Sequence, residues 1–271
     1  MLNIPNIQQA MSVFVAEELS EVLNTKVVIG RINMGLLNRI IIDDVLLDDQ
    51  SGQEMLKVTR LSAKFDIMPF FKGKISISSV QLFGFNINLR KETPDSPPNF
   101  KFVLDAFASK DTVKKENSLD LRINSILIRR GRMSYHVLSE EETPGKFNAK
   151  HIQLQNIIAN ISLKALSKDS LNLGIKRLSL DEKASGFSLK KMSLKLVANN
   201  KQTNIDNFTI ELPETSLKLD TIHLEYDSLK AFDRFTEQVH FSFRTLPSQV
   251  TLKDISPFVP ILSHFCLLYT S

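Results

Sequence analysis

Residues 189–226 read LKKMSLKLVANNKQTNIDNFTIELPETSLKLDTIHLEY. Apolar and polar residues alternate through this stretch, the period of half-buried strands. The alternation carries a regular defect. Two polar residues stand together and alternation then resumes, giving apolar, polar, polar, apolar, polar, apolar, polar, apolar. The eight places are matched by LKKMSLKL from Leu189, IDNFTIEL from Ile205 and LDTIHLEY from Leu219. Strand side chains alternate faces, so one extra residue would turn every later apolar side chain outward. A bulge or corner at the polar pair absorbs that residue, bends the strand and returns the apolar set to one face. Leu189 and Met192 are therefore expected on the same side, with Lys190/Lys191, Asp206/Asn207 and Asp220/Thr221 at bends.

Working outward, IGRINMGL from Ile29 and VTRLSAKF from Val58 complete five full copies, with Gly counted as non-apolar. At 42% apolar residues, chance supplies about one such match in a chain of this length. Partial copies begin at Ile42, Ile77, Ile123, Leu154 and Ile175, each keeping the first three apolar places and the polar pair. A stack of bent strands makes a curved sheet, a trough with an apolar inner side. Ordinary hairpins with bulges at their edges are the alternative.

Helical periodicity is confined to four short readings: 6–24, 100–109, 228–235 and 256–262. In the first, Ile7, Met11, Phe14, Val15, Leu19, Val22 and Leu23 form one stripe, with Asn6 and Asn24 as cap candidates. Its polar face is acidic, which favours covering one end of a core over lying on an anionic membrane. At least ten strands spaced about 4.8 Å apart make a sheet roughly 50 Å wide. A few helices of about 10 Å diameter do not cover it, so the sheet folds onto itself as a sandwich or another molecule fills it. The connectors 91–99, 109–117 and 139–146 lack the length of a domain linker. Residues 25–265 thus read as one repeating architecture after the helix of residues 1–24.

The 271 residues carry 34 Lys and Arg against 30 Asp and Glu, a net charge of +4. That bias is too small to argue for a nucleic-acid partner. A single Cys excludes a disulfide framework or a Cys-based zinc cluster. The last six residues, CLLYTS from Cys266 to Ser271, match what a common sequencing-library transposon adapter encodes in one reading frame. They are read as a scar outside the fold, and the chain as a fragment of a longer protein.

Candidate chemistry is sparse. The five His residues, at 136, 151, 223, 240 and 264, show no metal-ligand spacing within one element, and His223 occupies an outward polar place. The run IIIDDVLLDD, Ile40–Asp49, holds four carboxylates, but Asp43/Asp44 form a polar pair and Asp48/Asp49 enter the turn DDQSG. Lys190/Lys191 and Arg129/Arg130 read as a solvated sheet face more readily than as headgroup contacts. No nucleophile elbow, P-loop or dinucleotide fingerprint occurs, so no catalytic residue, metal or cofactor is expected and the chain does not read as an enzyme.

The stretch Thr25–Leu89, with its strand VVIGRI, turn DDVLLDDQSG, segment LSAKFDIMPFFKGKI and strand VQLFGFNI, resembles the opening of AsmA-like proteins. It looks most like the TamB-type proteins of the Bacteroides-like branch of Gram-negative bacteria, and the later pieces IRRGRMSYHV and KDISPFVPIL also fit. The resemblance implies a mainly β, elongated, taco-shaped groove with an apolar lining. It also implies a periplasmic location and an inner-membrane anchor upstream of residue 1. It further implies phospholipid movement between inner and outer membranes, or outer-membrane protein assembly with an Omp85-type barrel partner. The expected function is a groove segment along which acyl chains slide while headgroups stay in water. A scaffold pairing its sheet edge with a partner strand, or a structural spacer, are the alternatives. The expected lining is Ile32, Met34, Leu61, Phe65, Leu194, Leu196, Ile210, Leu212, Leu224 and Tyr226.

Overall fold

The computed structural model describes residues 5–35, 38–66, 75–108, 119–120, 124–166 and 170–258. Helix α1 (Pro5–Leu23) is followed by strands β1 (Val27–Gly35), β2 (Arg39–Asp48), β3 (Glu54–Asp66) and β4 (Ile75–Lys91). Helix α2 (Lys101–Ala108) and the two-residue β5 (Leu119–Asp120) precede β6 (Ser125–Val137), β7 (His151–Leu166), β8 (Ser170–Glu182), β9 (Ser188–Asn199), β10 (Gln202–Glu211) and β11 (Ser216–Tyr226). A 3-10 turn, Leu229–Arg234, leads through α3 (Phe235–Gln238) to β12 (Val239–Thr245) and α4 (Leu252–Ile255). The protein is thus mainly β with a few short helices, one of them N-terminal. The expected scar at 266–271 and residues 259–262 of the fourth helical reading lie outside the described residues.

The strands form one open mixed sheet in the order β1-β2-β3-β4-β6-β7-β8-β9-β10-β11-β12, with β5 beside β4. Among the described residues, strands pair antiparallel in β1–β4 and β8–β12, and β4 pairs parallel with β5 and with β6. Parallel neighbours need a long crossover, and the segment containing α2 supplies it. Two compact units divide the chain, residues 1–143 with 148–156, and 144–147 with 157–271. The division falls inside β7, where no linker composition marks it.

In the first unit, paired residues on one face are apolar in row after row. Met34, Ile40, Ala63, Val80 and Ile126 make one row, and Ile32, Ile42, Leu61, Leu82 and Ile128 the next. Ile29, Val45, Val58 and Phe85 follow, then Val27, Leu47, Leu56, Ile87 and Met133. Between the second and third rows the ladders joining β1, β2, β3 and β4 skip one position on each strand, Gly30, Asp44, Thr59 and Gly84, and the β4–β6 ladder skips two, Gly84 and Phe85 against Arg130 and Gly131. Asp44, Gly84 and Arg130 are left-handed there, at φ 55°, 64° and 55°, so β2, β4 and β6 carry the kink. The strands approach closely along this line. A Cβ on Gly30 would lie 3.0 Å from Asp44 Cβ, and one on Gly84 2.7 Å from Thr59 Oγ1. The Thr59 hydroxyl donates to the Gly84 carbonyl at 3.1 Å. Arg60 Nε meets Asp43 Oδ1 at 2.6 Å beside it, a pair too exposed to add much.

The second unit repeats the device. Leu171, Ala198, Thr203, Leu224 and Phe241 form one row, and Leu173, Leu196, Ile205, Ile222 and Phe243 the next. Leu178, Met192, Ile210 and Leu217 form a third. Register shifts between Leu178 and Leu180 leave Lys190 and Lys191 facing one residue. Others fall between Asp206 and Thr209 and between Leu219 and Thr221, with Asn207 at φ 53°. These are the three bends that side-chain parity requires, and Leu189 and Met192 both pair with leucines of β8. Left-handed backbone costs a β-branched residue roughly 1–2 kcal/mol and glycine almost nothing. Asn207→Val should therefore lower the urea midpoint, and Asn207→Gly should leave it nearly unchanged. Equal midpoints for the two variants would show that the kink is not conformationally demanding.

Helix α1 departs from the sequence reading in two ways. It begins at Pro5, whose fixed φ suits a first helical position, so Asn6 is inside the helix and not its cap. Asn24 does end it, left-handed at φ 47°, with Thr25 N donating to Ser20 O at 3.1 Å. The face it buries takes in only part of the bulky stripe, Val15 and Leu23. Ser12, Ala16, Ser20 and Leu23 turn inward, while Phe14, Leu19 and Val22 are exposed. Small side chains let the helix approach the sheet, and the Ser20 hydroxyl fastens it by donating to Ala16 O at 2.6 Å and accepting from Val27 N at 3.0 Å. The last helical reading is also displaced: α4 spans Leu252–Ile255, and 256–258 form a turn.

Candidate functional site

Each unit presents an apolar sheet face, and the register shows how the expected lining falls on it. Ile32, Met34 and Leu61 sit in adjacent rows of the first unit. Leu194, Leu196, Ile210 and Leu224 lie in rows of the second, Leu194 opposite Ile175. Leu212 follows the end of β10, with its N–H donating to Thr215 O at 2.9 Å. Tyr226 ends β11 opposite Val239. The side chain of Phe65 lies outside the described residues.

Cover over these faces is uneven. Ile32 is 4% exposed, within a cluster of Leu23, Val27, Ile29, Leu47 and Met55 that Val15 and Ala16 of α1 and Phe102, Val103 and Ala106 of α2 pack against. Both helices thus shield one part of the first face. Met34, two residues along β1, is 70% exposed. In the second unit, Leu194, Leu196, Ile210, Leu212 and Leu224 are all half-buried. Tyr226 is 5% exposed and closes one end with Ala231 and Val239. Its hydroxyl lies 2.9 Å from Thr203 Oγ1 and donates to Asn199 O at 2.7 Å, which supplies the partner a buried phenol needs.

From Tyr226 an aromatic file runs outward. Phe232 meets its ring edge-on at 4.8 Å, and Phe235, Phe241 and Phe243 follow at centroid spacings of 6.0, 5.8 and 6.3 Å. Phe241 and Phe243 stand on the outermost strand at 54% and 56% exposure. The opposite face of this unit is polar. His223 lies there with Nδ1 2.6 Å from Asn204 Oδ1 and Nε2 3.0 Å from Glu225 Oε1.

The carboxylates of Ile40–Asp49 organise backbone. Asp44 is a kink residue. Asp49, 2% exposed, closes the turn into β3: its Oδ1 accepts from Ser51 N at 3.0 Å, Ser51 Oγ at 2.6 Å and Gln53 N at 3.1 Å. Its Oδ2 accepts from Asn99 Nδ2 at 3.1 Å and pairs with Arg90 Nη2 at 2.7 Å. Burial pushes its pKa up, but the hydrogen bonds from Ser51, Asn99 and Gln53 outweigh this and hold it below the ordinary carboxylate value. Glu182 plays the same part in the second unit, accepting from Ala184 N, Ser185 N and the Ser185 hydroxyl. Both turns carry a left-handed glycine, Gly52 and Gly186.

No family model and no curated protein matches this chain.

Register adds Ile42, Val45 and Phe85 to the face of the first unit, and in the second it places Ile205, Phe208 and Ile222, apolar places of the full copies, beside the expected lining. The partial copy at Ile42 already pointed to Ile42 and Val45, because it kept the same apolar places. Arg130 is exposed, as expected of a solvated sheet face, and it is a kink residue as well. Its guanidinium carbon lies 5.3 Å from the centre of the Phe83 ring.

Proposed function

We propose that this chain is a segment of an apolar conduit that carries phospholipid acyl chains along its sheet faces, as in the AsmA-like, TamB-type proteins it resembles. The observation that carries this reading is the succession of apolar rows, with Thr203 the one polar residue among those named in them. Kinks return the inward side chains to one side on strand after strand, which a short core under two helices does not require. Hydrocarbon gains about 25 cal/mol for each Å² of apolar surface removed from water. A half-buried face such as Leu194, Leu196 and Leu224 offers that gain without unpaired polar groups in the way. Movement would be passive, with headgroups in water at the margin. Among the described residues no helix is long and apolar enough to cross a membrane. In this reading the working location is the periplasm.

The test places a photo-reactive residue at Ile205 or Ile222 and identifies what it captures from a lipid-containing envelope. Captured phospholipid, abolished by Leu194→Asp, Ile210→Asp or Leu224→Asp in chains that still fold, is the expected result. A sealed core would bury each new carboxylate at a cost of several kcal/mol. Unfolding of all three variants, with no lipid captured by the parent, would overturn the conduit.

A second reading, an assembly scaffold acting with an Omp85-type barrel, is favoured by one observation. β12 is the last strand in the sheet order, and its exposed aromatics stand where an added strand would pair.

A further inference from the structure

Away from the apolar faces, one grouping of side chains in the first unit has the composition of a metal centre. His136, near the end of β6, and His151, the first residue of β7, point their Nδ1 atoms at each other 3.0 Å apart. Glu142, in the connector between them, places Oε1 3.9 Å from His136 Nδ1. The three candidate donor atoms all lie within 4.8 Å of one another. Zinc bound at about 2.0–2.1 Å by nitrogen and oxygen in tetrahedral geometry sets its donors roughly 3.3 Å apart, a spacing that the two shorter contacts bracket.

The hydrogen bonding around His151 sets its tautomer. Its Nε2 lies 2.9 Å from the carbonyl oxygen of Glu140. A carbonyl only accepts, so Nε2 carries the hydrogen and the neutral ring presents a bare lone pair at Nδ1. Metal-ligating histidines characteristically donate their other ring N–H to a carbonyl or carboxylate in this way. The connector is held in place as well. Lys150 Nζ pairs with Glu140 Oε2 at 2.6 Å, Val137 N donates to Lys150 O at 2.9 Å, and Asn148 Nδ2 donates to Glu141 O at 3.1 Å. His151 is 7% exposed, while Glu142 lies in the open, so a fourth position faces water. Sequence spacing hides this group, because its members lie on two strands and a loop.

We propose that His136, Glu142 and His151 bind one zinc ion, with water as the fourth ligand, and that the ion closes the connector between β6 and β7. Two imidazoles and a carboxylate suit Zn²⁺ better than a hard cation such as Mg²⁺. The alternative arrangement is a plain hydrogen bond in which His136 Nδ1–H donates to His151 Nδ1.

The experiment uses the whole chain carrying Cys266→Ser in every arm, so that no thiol competes, after removal of metal by chelation. Zinc chloride is titrated calorimetrically, and cobalt(II) chloride serves as a coloured probe of coordination. The expected result is one equivalent of zinc bound, a higher melting temperature with zinc, and the visible absorption of four-coordinate cobalt. His136→Ala and Glu142→Gln should each weaken binding by at least about 10-fold, since loss of even an outer-shell partner costs about 10–100-fold, and remove the cobalt spectrum. His151→Ala is read only if its circular dichroism matches the parent. No saturable zinc binding up to about 1 mM, or unchanged affinity in His136→Ala, would overturn the site and leave the histidine pair as a hydrogen bond alone.

Discussion

Asp49→Ala should destabilise the protein by about 3 kcal/mol, among the largest losses available to one side chain outside the apolar rows. Removing one partner of a buried ion pair strands the other, at a typical cost of about 3–5 kcal/mol. Here Arg90 loses its carboxylate, and the N–H groups of Ser51 and Gln53 lose their acceptor. The same carboxylate sets a pH dependence. Its folded pKa is held below the ordinary value of 3.8, so at mildly acid pH the unfolded chain binds the proton more readily than the folded one. Its contribution is complete above that ordinary value and is lost as pH falls through the lowered folded pKa. Urea midpoints for the parent should therefore drop on acidification below about pH 4. Asp49→Ala should start lower and lose less over the same interval. A variant with the parent's midpoint at neutral pH would remove Asp49 from this role.

Gly84→Val should cost a comparable amount, about 3 kcal/mol. Two penalties combine. A β-branched residue is forced to φ 64°, and a Cβ is driven to 2.7 Å from Thr59 Oγ1. Adding Thr59→Ala removes the hydroxyl and should recover part of the loss, since the steric share falls while the backbone share stays. Chemical denaturation of the two variants separates the shares. Equal stability of Gly84→Val and the parent would mean that β4 does not need its kink.

The bends were legible where the polar pair survives intact, at Lys190/Lys191, Asp206/Asn207 and Asp220/Thr221, because parity alone demands an extra residue there. The partial copies at Ile42 and Leu154 were equally informative, their second polar residues Asp44 and Asn156 being left-handed at φ 55° each. On β4 the polar pair Ser78/Ser79 of the copy at Ile77 marks a register shift, Ser79 pairing with Lys64 and Ile77 with Phe65, but the kink at Gly84 gave no signal. Phe83 occupies a place that a polar residue should hold, and it points outward with Arg130 across its ring. A hydrophobic-or-polar alphabet cannot register an outward aromatic. On α1 bulk marks burial only in part: Val15 and Leu23 of the stripe pack inward, but beside them the packed face is Ser12, Ala16 and Ser20. Rows across the sheet were not legible at all. They depend on register, which the chain settles by pairing residues far apart in sequence, as Val58 does with Phe85. The carboxylate readings were closer: Asp49 at its turn follows from the DDQSG string, although its partners Asn99 and Arg90 come from a distant connector and strand.

The skipped positions at Gly30, Asp44, Thr59, Gly84 and Arg130 also have a mechanical meaning. A pleated sheet resists bending wherever successive rungs tie its strands together. A file of missing rungs is a line of compliance, comparable to a crease in card. Rotation about it strains only a few dihedral angles and leaves the ladders on either side intact. Amide protons bordering the crease should exchange with solvent sooner than those one rung away. The first unit thus has a built-in axis along which it can widen or narrow without melting.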